Sequence, residues 1–279
     1  MCSIGAILPK SDYDPALLRQ FTLSLLKEME IRGHDAAGIG IVYDDGMVWI
    51  RKAPIPASMF AQLISRIKGW EKNVKVMLLH ARAATQGSPY NNENNHPLFE
   101  LVDDELMYIL VHNGHVNTRS SEIQRKREVD SDAILQAIVK ECGKGGLSMS
   151  CVSKALDHVS GSMAIAVTDT LTKCLVLYRD SNPTYCAYIE ELGLVCTSTQ
   201  SIFENTVKEI EKKQKLTIVK KGYTESMTIY LISKPEDSLR LSLFDAKYGY
   251  SQKSYTSYGS YSGYYSWYSY DKIDKDLDI

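Results

Sequence analysis

Met1-Cys2-Ser3-Ile4-Gly5 opens the chain and organises its reading. Removal of Met1 would leave Cys2 carrying a thiol and a free α-amine on one residue. Their ordinary pKa values, about 8.5 and about 7.7–8.0, make a nucleophile with a built-in base near neutral pH. An N-terminal residue activated by its own amine is an established route to covalent catalysis. Met-Cys is also an ordinary chain start, so the weight falls on what the other residues add.

The 279 residues are 44% hydrophobic and 24% charged, close to the roughly 45–50% and about 25% of soluble globular domains. A formal net charge of −2 argues against a nucleic-acid scaffold, which carries a basic excess. No apolar run approaches the roughly 18 residues of a membrane span. The N-terminus lacks the basic-then-apolar pattern of a secretory signal. A cytoplasmic protein is expected, with no membrane partner. Cys2, Cys142, Cys151, Cys174, Cys186 and Cys196 show no CxxC or Cys/His ligand spacing. Mostly buried thiols in a reducing compartment fit best, with one disulfide left open. His80, His96, His112 and His115 show no i,i+4 pairing and no Cys/His cluster, so neither metal nor cofactor is expected.

Asp14-Pro15 predicts a helix start, Asp as N-cap and Pro in the first turn. Leu17, Leu18, Phe21 and Leu25 continue it as an apolar stripe. Residues 39–43 and 47–50 read as strands of a hairpin around Asp45-Gly46. A helix is expected over 57–67 and a buried strand over 74–79, ending in His80-Ala81-Arg82. A strand over 106–111 delivers His112-Asn113-Gly114, read as a turn, and a helix follows over 130–140. Further elements are a short helix near 154–159, strands near 163–168, 174–178, 186–189, 194–197, 216–219 and 227–232, and a helix over 200–212. Short strands mixed with a few long helices predict an α+β fold of stacked antiparallel sheets covered by helices.

The composition changes abruptly from about Lys247. Nine of the 18 tyrosines lie between Tyr248 and Tyr270, interleaved with Ser and Gly. Aliphatic residues vanish there, so disorder is expected. The domain is placed at 1–240 and a low-complexity tail at 241–279. The tail's tyrosines suit self-association or docking, which would permit a homo-oligomer; stacking on nucleic-acid bases is disfavoured by the scarcity of lysine.

Three motifs carry groups suited to a small zwitterion. Arg82 offers a planar fork that takes a carboxylate bidentately; a surface arginine at a strand end is the plain alternative. Asn113 and Gly114 offer a side-chain amide beside a backbone N–H, the pair an oxyanion hole needs. Asn-Gly is also among the commonest turn pairs. Asp130 suits an ammonium group and equally a helix cap.

Taken in order, Met1 to Gly5, Arg32-Gly33-His34-Asp35-Ala36-Ala37-Gly38, His80 to Gly87, Asn95-His96-Pro97, His112-Asn113-Gly114 and Val129-Asp130-Ser131-Asp132 resemble the glutaminase domain of class II glutamine amidotransferases. Ala155-Leu156-Asp157 through Gly161-Ser162, Arg179-Asp180 with Pro183, and Cys196-Thr197-Ser198 look like its weaker trailing motifs. The resemblance covers roughly residues 2–210 and implies a four-layer αββα N-terminal-nucleophile sandwich. It further implies that Cys2 attacks the glutamine amide, with its α-amine as base, and that Asn113 and Gly114 hold the oxyanion. Arg82 would take the substrate α-carboxylate, Asp130 its α-ammonium, and Thr85 would line the same loop. Arg32 and Asp35 would support the nucleophile's turn, while Gly5 and Gly33 would let backbones approach closely.

The chain departs from the pattern at Ala83, where many members carry an aromatic, and at Gln86 and Thr118. These touch loop closure and coupling rather than a catalytic group. Neither GxxxxGKS/T nor SGGxDS is present, so a free-standing module passing ammonia to a separate synthase subunit is expected. Two other readings remain: a γ-glutamyl amide or peptide hydrolase with room made by Ala83, and a non-catalytic assembly protein using the tail.

Overall fold

The computed structural model describes residues 1–66, 70 and 73–244. The strands are β1 (Ser3–Pro9), β2 (Ala36–Tyr43), β3 (Val48–Ala53), β4 (Val74–Arg82), β5 (Leu98–Val102), β6 (Leu106–Thr118), β7 (Val159–Asp169), β8 (Leu175–Arg179), β9 (Tyr185–Ile189), β10 (Gly193–Thr197), β11 (Ile218–Tyr223) and β12 (Thr228–Ile232). The helices are α1 (Pro15–Met29), α2 (Ala57–Ile64), α3 (Ser131–Cys142), α4 (Met149–Asp157) and α5 (Gln200–Glu211). A seven-stranded sheet runs β11-β9-β10-β1-β4-β2-β3 and a five-stranded sheet runs β12-β8-β7-β6-β5. All their strand pairings are antiparallel.

Side-chain alternation builds the layers. Along β1, Ile4, Ala6 and Leu8 face the second sheet, where they join Ile109, Val111, Ala164 and Ala166 in one buried cluster. Ile7, between them in sequence, points the other way, into a core with α1, α2 and α5. The period of two in a strand makes this division. The outer face of the five-stranded sheet buries Tyr108, Leu110, Ile165 and Val167 against α3 and α4. The result is αββα, as expected.

Helix α1 follows its sequence signals. Asp14 accepts a hydrogen bond from Ala16 N, and Pro15 occupies the first helical position. Leu17, Leu18, Phe21 and Leu25 are buried, each contributing about 1.5–3 kcal/mol by leaving water. The β2–β3 hairpin turns at Gly46, with φ 80°, as Asp45-Gly46 predicts. Helix α2 ends at Ile64 and α4 starts at Met149, each displaced from the sequence reading by a cap or terminus that apolar spacing does not locate.

One expectation about the motifs is corrected. His112-Asn113-Gly114 is no turn at a strand end: β6 continues to Thr118, paired with β7 from Tyr108↔Asp169 to Thr118↔Val159. Pairing along the whole length overrides the local turn preference of Asn-Gly. His80 on β4 and His112 on β6 lie in different sheets. The one disulfide left open is present: Cys142, ending α3, is bonded to Cys151 in α4 with a Cα–Cα distance of 5.0 Å, inside disulfide reach. Cys2, Cys174, Cys186 and Cys196 are free.

Among the described residues no helix is long and apolar enough to cross a membrane. Leu243 and Phe244 are buried with the inter-sheet cluster, so packing continues past residue 240. The tyrosine-rich segment, 248–270, lies outside the described residues.

Candidate active site

Cys2 immediately precedes β1, at one end of the central strands. Ser3 pairs with Ala81 on β4, which brings the start of the chain beside Arg82 and Ala83. On the other flank Ser198 accepts a hydrogen bond from Ile4 N at 2.8 Å and donates its own N–H to Ile4 O at 3.1 Å. Two neighbours therefore fix the backbone next to Cys2. Arg32 Nε donates to Cys2 O at 3.0 Å. Asp35 clasps the end of β4: its N–H donates to Arg82 O at 2.9 Å, and its Oδ2 accepts from Ala84 N at 2.7 Å.

Gly33 makes that clasp compact. A Cβ there would stand 2.4 Å from the Arg82 carbonyl carbon, so a backbone approach requires glycine, as expected. At Gly5 the neighbours are instead side chains, Leu79 and Met29, each at 3.2 Å. Backbone approach does not explain Gly5; crowding in the helix-facing core does.

The Cys2 sulfur lies 3.5 Å from Ala83 O. Burial pushes its thiol up, while a backbone hydrogen bond at Ala83, the chain's terminal ammonium and Arg82 pull the other way and Asp130 adds to the rise. A neutral resting thiol needs a base to become reactive. Arg82 is buried, and desolvation opposes its charge, with Cys2, Asp35, Asp130 and Glu128 favouring it. Cys2, Arg82, Asp35 and Asp130 thus share one electrostatic neighbourhood.

The Arg82 guanidinium is held by its own loop. Nη1 donates to Asn95 Oδ1 at 2.6 Å and Ser88 O at 3.5 Å, and Nη2 to Gln86 O at 2.5 Å and Gly87 O at 2.8 Å. Thr85 is exposed on that loop. Asn95 in turn is anchored: its Nδ2 donates to Pro89 O at 2.7 Å, and Lys52 Nζ donates to its carbonyl at 2.9 Å. The run Asn91 to Asn95 reads as a plain polar loop in sequence, and only the fold reveals Asn95 as the partner of Arg82.

On the facing sheet, Asn113 is 1% exposed, and its Nδ2 has no hydrogen-bond partner among the described residues. Gly114 has φ 148°, and a Cβ there would stand 1.9 Å from Ser162 O, so only glycine fits. Asp130 caps α3: Oδ1 accepts from Ser131 N at 2.9 Å and Oδ2 from Val116 N at 2.8 Å, with His115 Nδ1 at 3.1 Å. His112 is anchored twice. Its ring Nδ1 meets Ser131 Oγ at 2.7 Å, and its carbonyl meets His80 Nε2 at 3.0 Å, linking the two sheets. A carbonyl only accepts, so His80 carries its proton on Nε2. Burial holds His80 down at about 3 and His112 at about 4, and His96, stacked on His80 at 4.2 Å, is lowered as well. All three are neutral at neutral pH. Among the described residues no His, Cys, Asp or Glu group is arranged to hold a metal ion.

Known proteins resemble the chain in sequence and in fold. No family model matches the chain. It is 28% identical over 241 residues to a glutamine–fructose-6-phosphate aminotransferase (isomerizing) of Shouchella clausii, covering 82% of this chain and 37% of that one. It is 26% identical over 211 residues to a 7-cyano-7-deazaguanine synthase of Saccharolobus solfataricus, covering 73% of this chain and 44% of the other. The chain thus spans less than half the length of these curated relatives. Among solved structures, a glutamine phosphoribosylpyrophosphate amidotransferase from B. subtilis superposes with a TM-score of 0.59 at 17% identity, covering 84% of this chain and 47% of that one. That likeness is one of fold. In sequence and in the αββα fold alike, the chain is thus similar to glutamine amidotransferases of class II.

Proposed function

We propose that this chain hydrolyses glutamine to glutamate and ammonia through a Cys2 thioester, after Met1 is removed, and passes the ammonia to a separate synthase subunit. The observation that carries the reading is the Asn113 amide, a buried donor without a partner among the described residues. Leaving a buried donor unpaired costs about 1–3 kcal/mol, a cost that makes sense if a ligand oxygen completes the bond.

The α-amine of Cys2 takes the thiol proton, and the sulfur adds to the side-chain amide carbon of glutamine. Asn113 Nδ2 and Gly114 N–H stabilise the oxyanion that forms. Collapse breaks the C–N bond, and the ammonium of Cys2 returns its proton to the departing ammonia. A water then adds to the γ-glutamyl thioester, giving up a proton to the same amine. Collapse of that adduct releases glutamate and restores the thiol. Arg82 takes the substrate α-carboxylate once the carbonyls of Gln86 and Gly87 release it, and Thr85 lines the loop that moves. Asp130 meets the α-ammonium with lone pairs left over from capping α3. Arg32 and Asp35 hold the turn.

Glutamate release by the purified chain, compared with Cys2→Ala, tests this. Release is expected from the former and none from the latter; equal release from both defeats the reading.

A further inference from the structure

The carbonyl of Asn113 and the N–H of Gly114 belong to one peptide unit, and a residue from another loop holds it. Asn182, between β8 and β9, donates from Nδ2 to Asn113 O at 2.9 Å. The same nitrogen would stand only 2.7 Å from a Cβ on Gly114, so it covers the Gly114 α-carbon as well. The loop is braced where it leaves β8. Asp180 Oδ1 accepts from Met163 N at 2.7 Å, and Asp180 N donates to Met163 O at 3.0 Å. Arg179 Nε donates to Thr224 O at 2.8 Å. Asn182 is therefore presented from an anchored loop.

We propose that Asn182 is a positioning residue for the oxyanion donors, acting through the Asn113–Gly114 peptide; this rests on the role proposed above for that peptide. Gly114 has no side chain to fix its backbone direction, so a hydrogen bond to the neighbouring carbonyl does so. Donation to that carbonyl also polarises the amide and strengthens its N–H as a donor, by about 10–30% per bond. The benefit appears where negative charge develops, on the tetrahedral oxygen, rather than on bound glutamine. Asn182 therefore governs turnover and leaves substrate affinity nearly untouched.

The test is glutamine turnover by the full chain carrying Asn182→Ala or Asn182→Asp, with Cys2→Ala alongside. Aspartate has the shape of asparagine but places an acceptor where the donor stood, which separates loss of the bond from loss of packing. The expected result is a fall in kcat of roughly 3- to 10-fold for Asn182→Ala and more for Asn182→Asp, with KM within about 2-fold. Affinity for a γ-aldehyde analogue of glutamine, which forms a hemithioacetal with its oxygen in the same place, should fall in step with kcat, while inhibition by glutamate holds. Wild-type kcat in both variants, or a rise in KM at constant kcat, overturns the inference. Turnover that survives Cys2→Ala overturns instead the reaction on which it rests.

Discussion

Arg32 Nε donates to the carbonyl oxygen of Cys2 at 3.0 Å, tying the turn after α1 to the residue that starts β1. The bond reaches backbone rather than sulfur, so its effect is on where the thiol and amine sit. Arg32→Ala is expected to lower glutamine turnover by about 10-fold or more, since misplacing a reacting group by an ångström costs up to about 100-fold. KM should change little. Steady-state kinetics on the purified variant checks this; a change confined to KM would place Arg32 with substrate binding instead.

Arg82 presents its fork to Asn95 and to the carbonyls of Gln86, Gly87 and Ser88. If glutamine's carboxylate replaces some of these acceptors, Arg82→Lys keeps the charge and loses the bidentate geometry. One charged hydrogen bond is worth about 1.5–3 kcal/mol, so KM should rise about 10- to 100-fold. An unchanged KM would leave Arg82 as a loop anchor only.

Buried neutral histidines make stability depend on pH. His80 at about 3 and His112 at about 4 are depressed below the unfolded value of 6.5. The folded state keeps them neutral where the unfolded chain takes up protons. Their contribution is present above about pH 6.5 and is lost as pH falls toward 4, at up to about 1.4 kcal/mol per pH unit for each. Thermal melts from pH 7.5 to 5 should show Tm falling, with a shallower fall in His80→Gln. Equal slopes in both proteins would remove His80 as a source.

The boundary placed at residue 240 has its own test. Leu243 and Phe244 are buried against the inter-sheet core. A chain ending at 240 should be less stable than one ending at 244 by about 2–5 kcal/mol, read by urea denaturation. Equal midpoints would show that the last four residues add nothing.

What the sequence disclosed divides by range of interaction. Helix α1 and the β2–β3 hairpin were legible because Asp14-Pro15, the Leu17–Leu25 stripe and Asp45-Gly46 act on their own neighbours. The length of β6 was not, because its pairing with β7 overrides the Asn113-Gly114 turn signal. The bond from Arg82 to Asn95, and Asn182 altogether, escaped notice for the same reason. Each meets its partner only after folding, Asn95 across a loop from Arg82 and Asn182 69 positions from Asn113. Cys142 and Cys151 lie nine residues apart, a spacing that alone does not distinguish a bond from two buried thiols.

The central claim is that Cys2, freed of Met1, is the nucleophile. Intact-mass and peptide mass spectrometry after treatment with a diazoketone analogue of glutamine tests it most directly. The account predicts a chain lacking Met1 that gains one adduct, on Cys2, and is protected by glutamine. Retention of Met1 in protein that still releases ammonia, or an adduct on another residue, would contradict it.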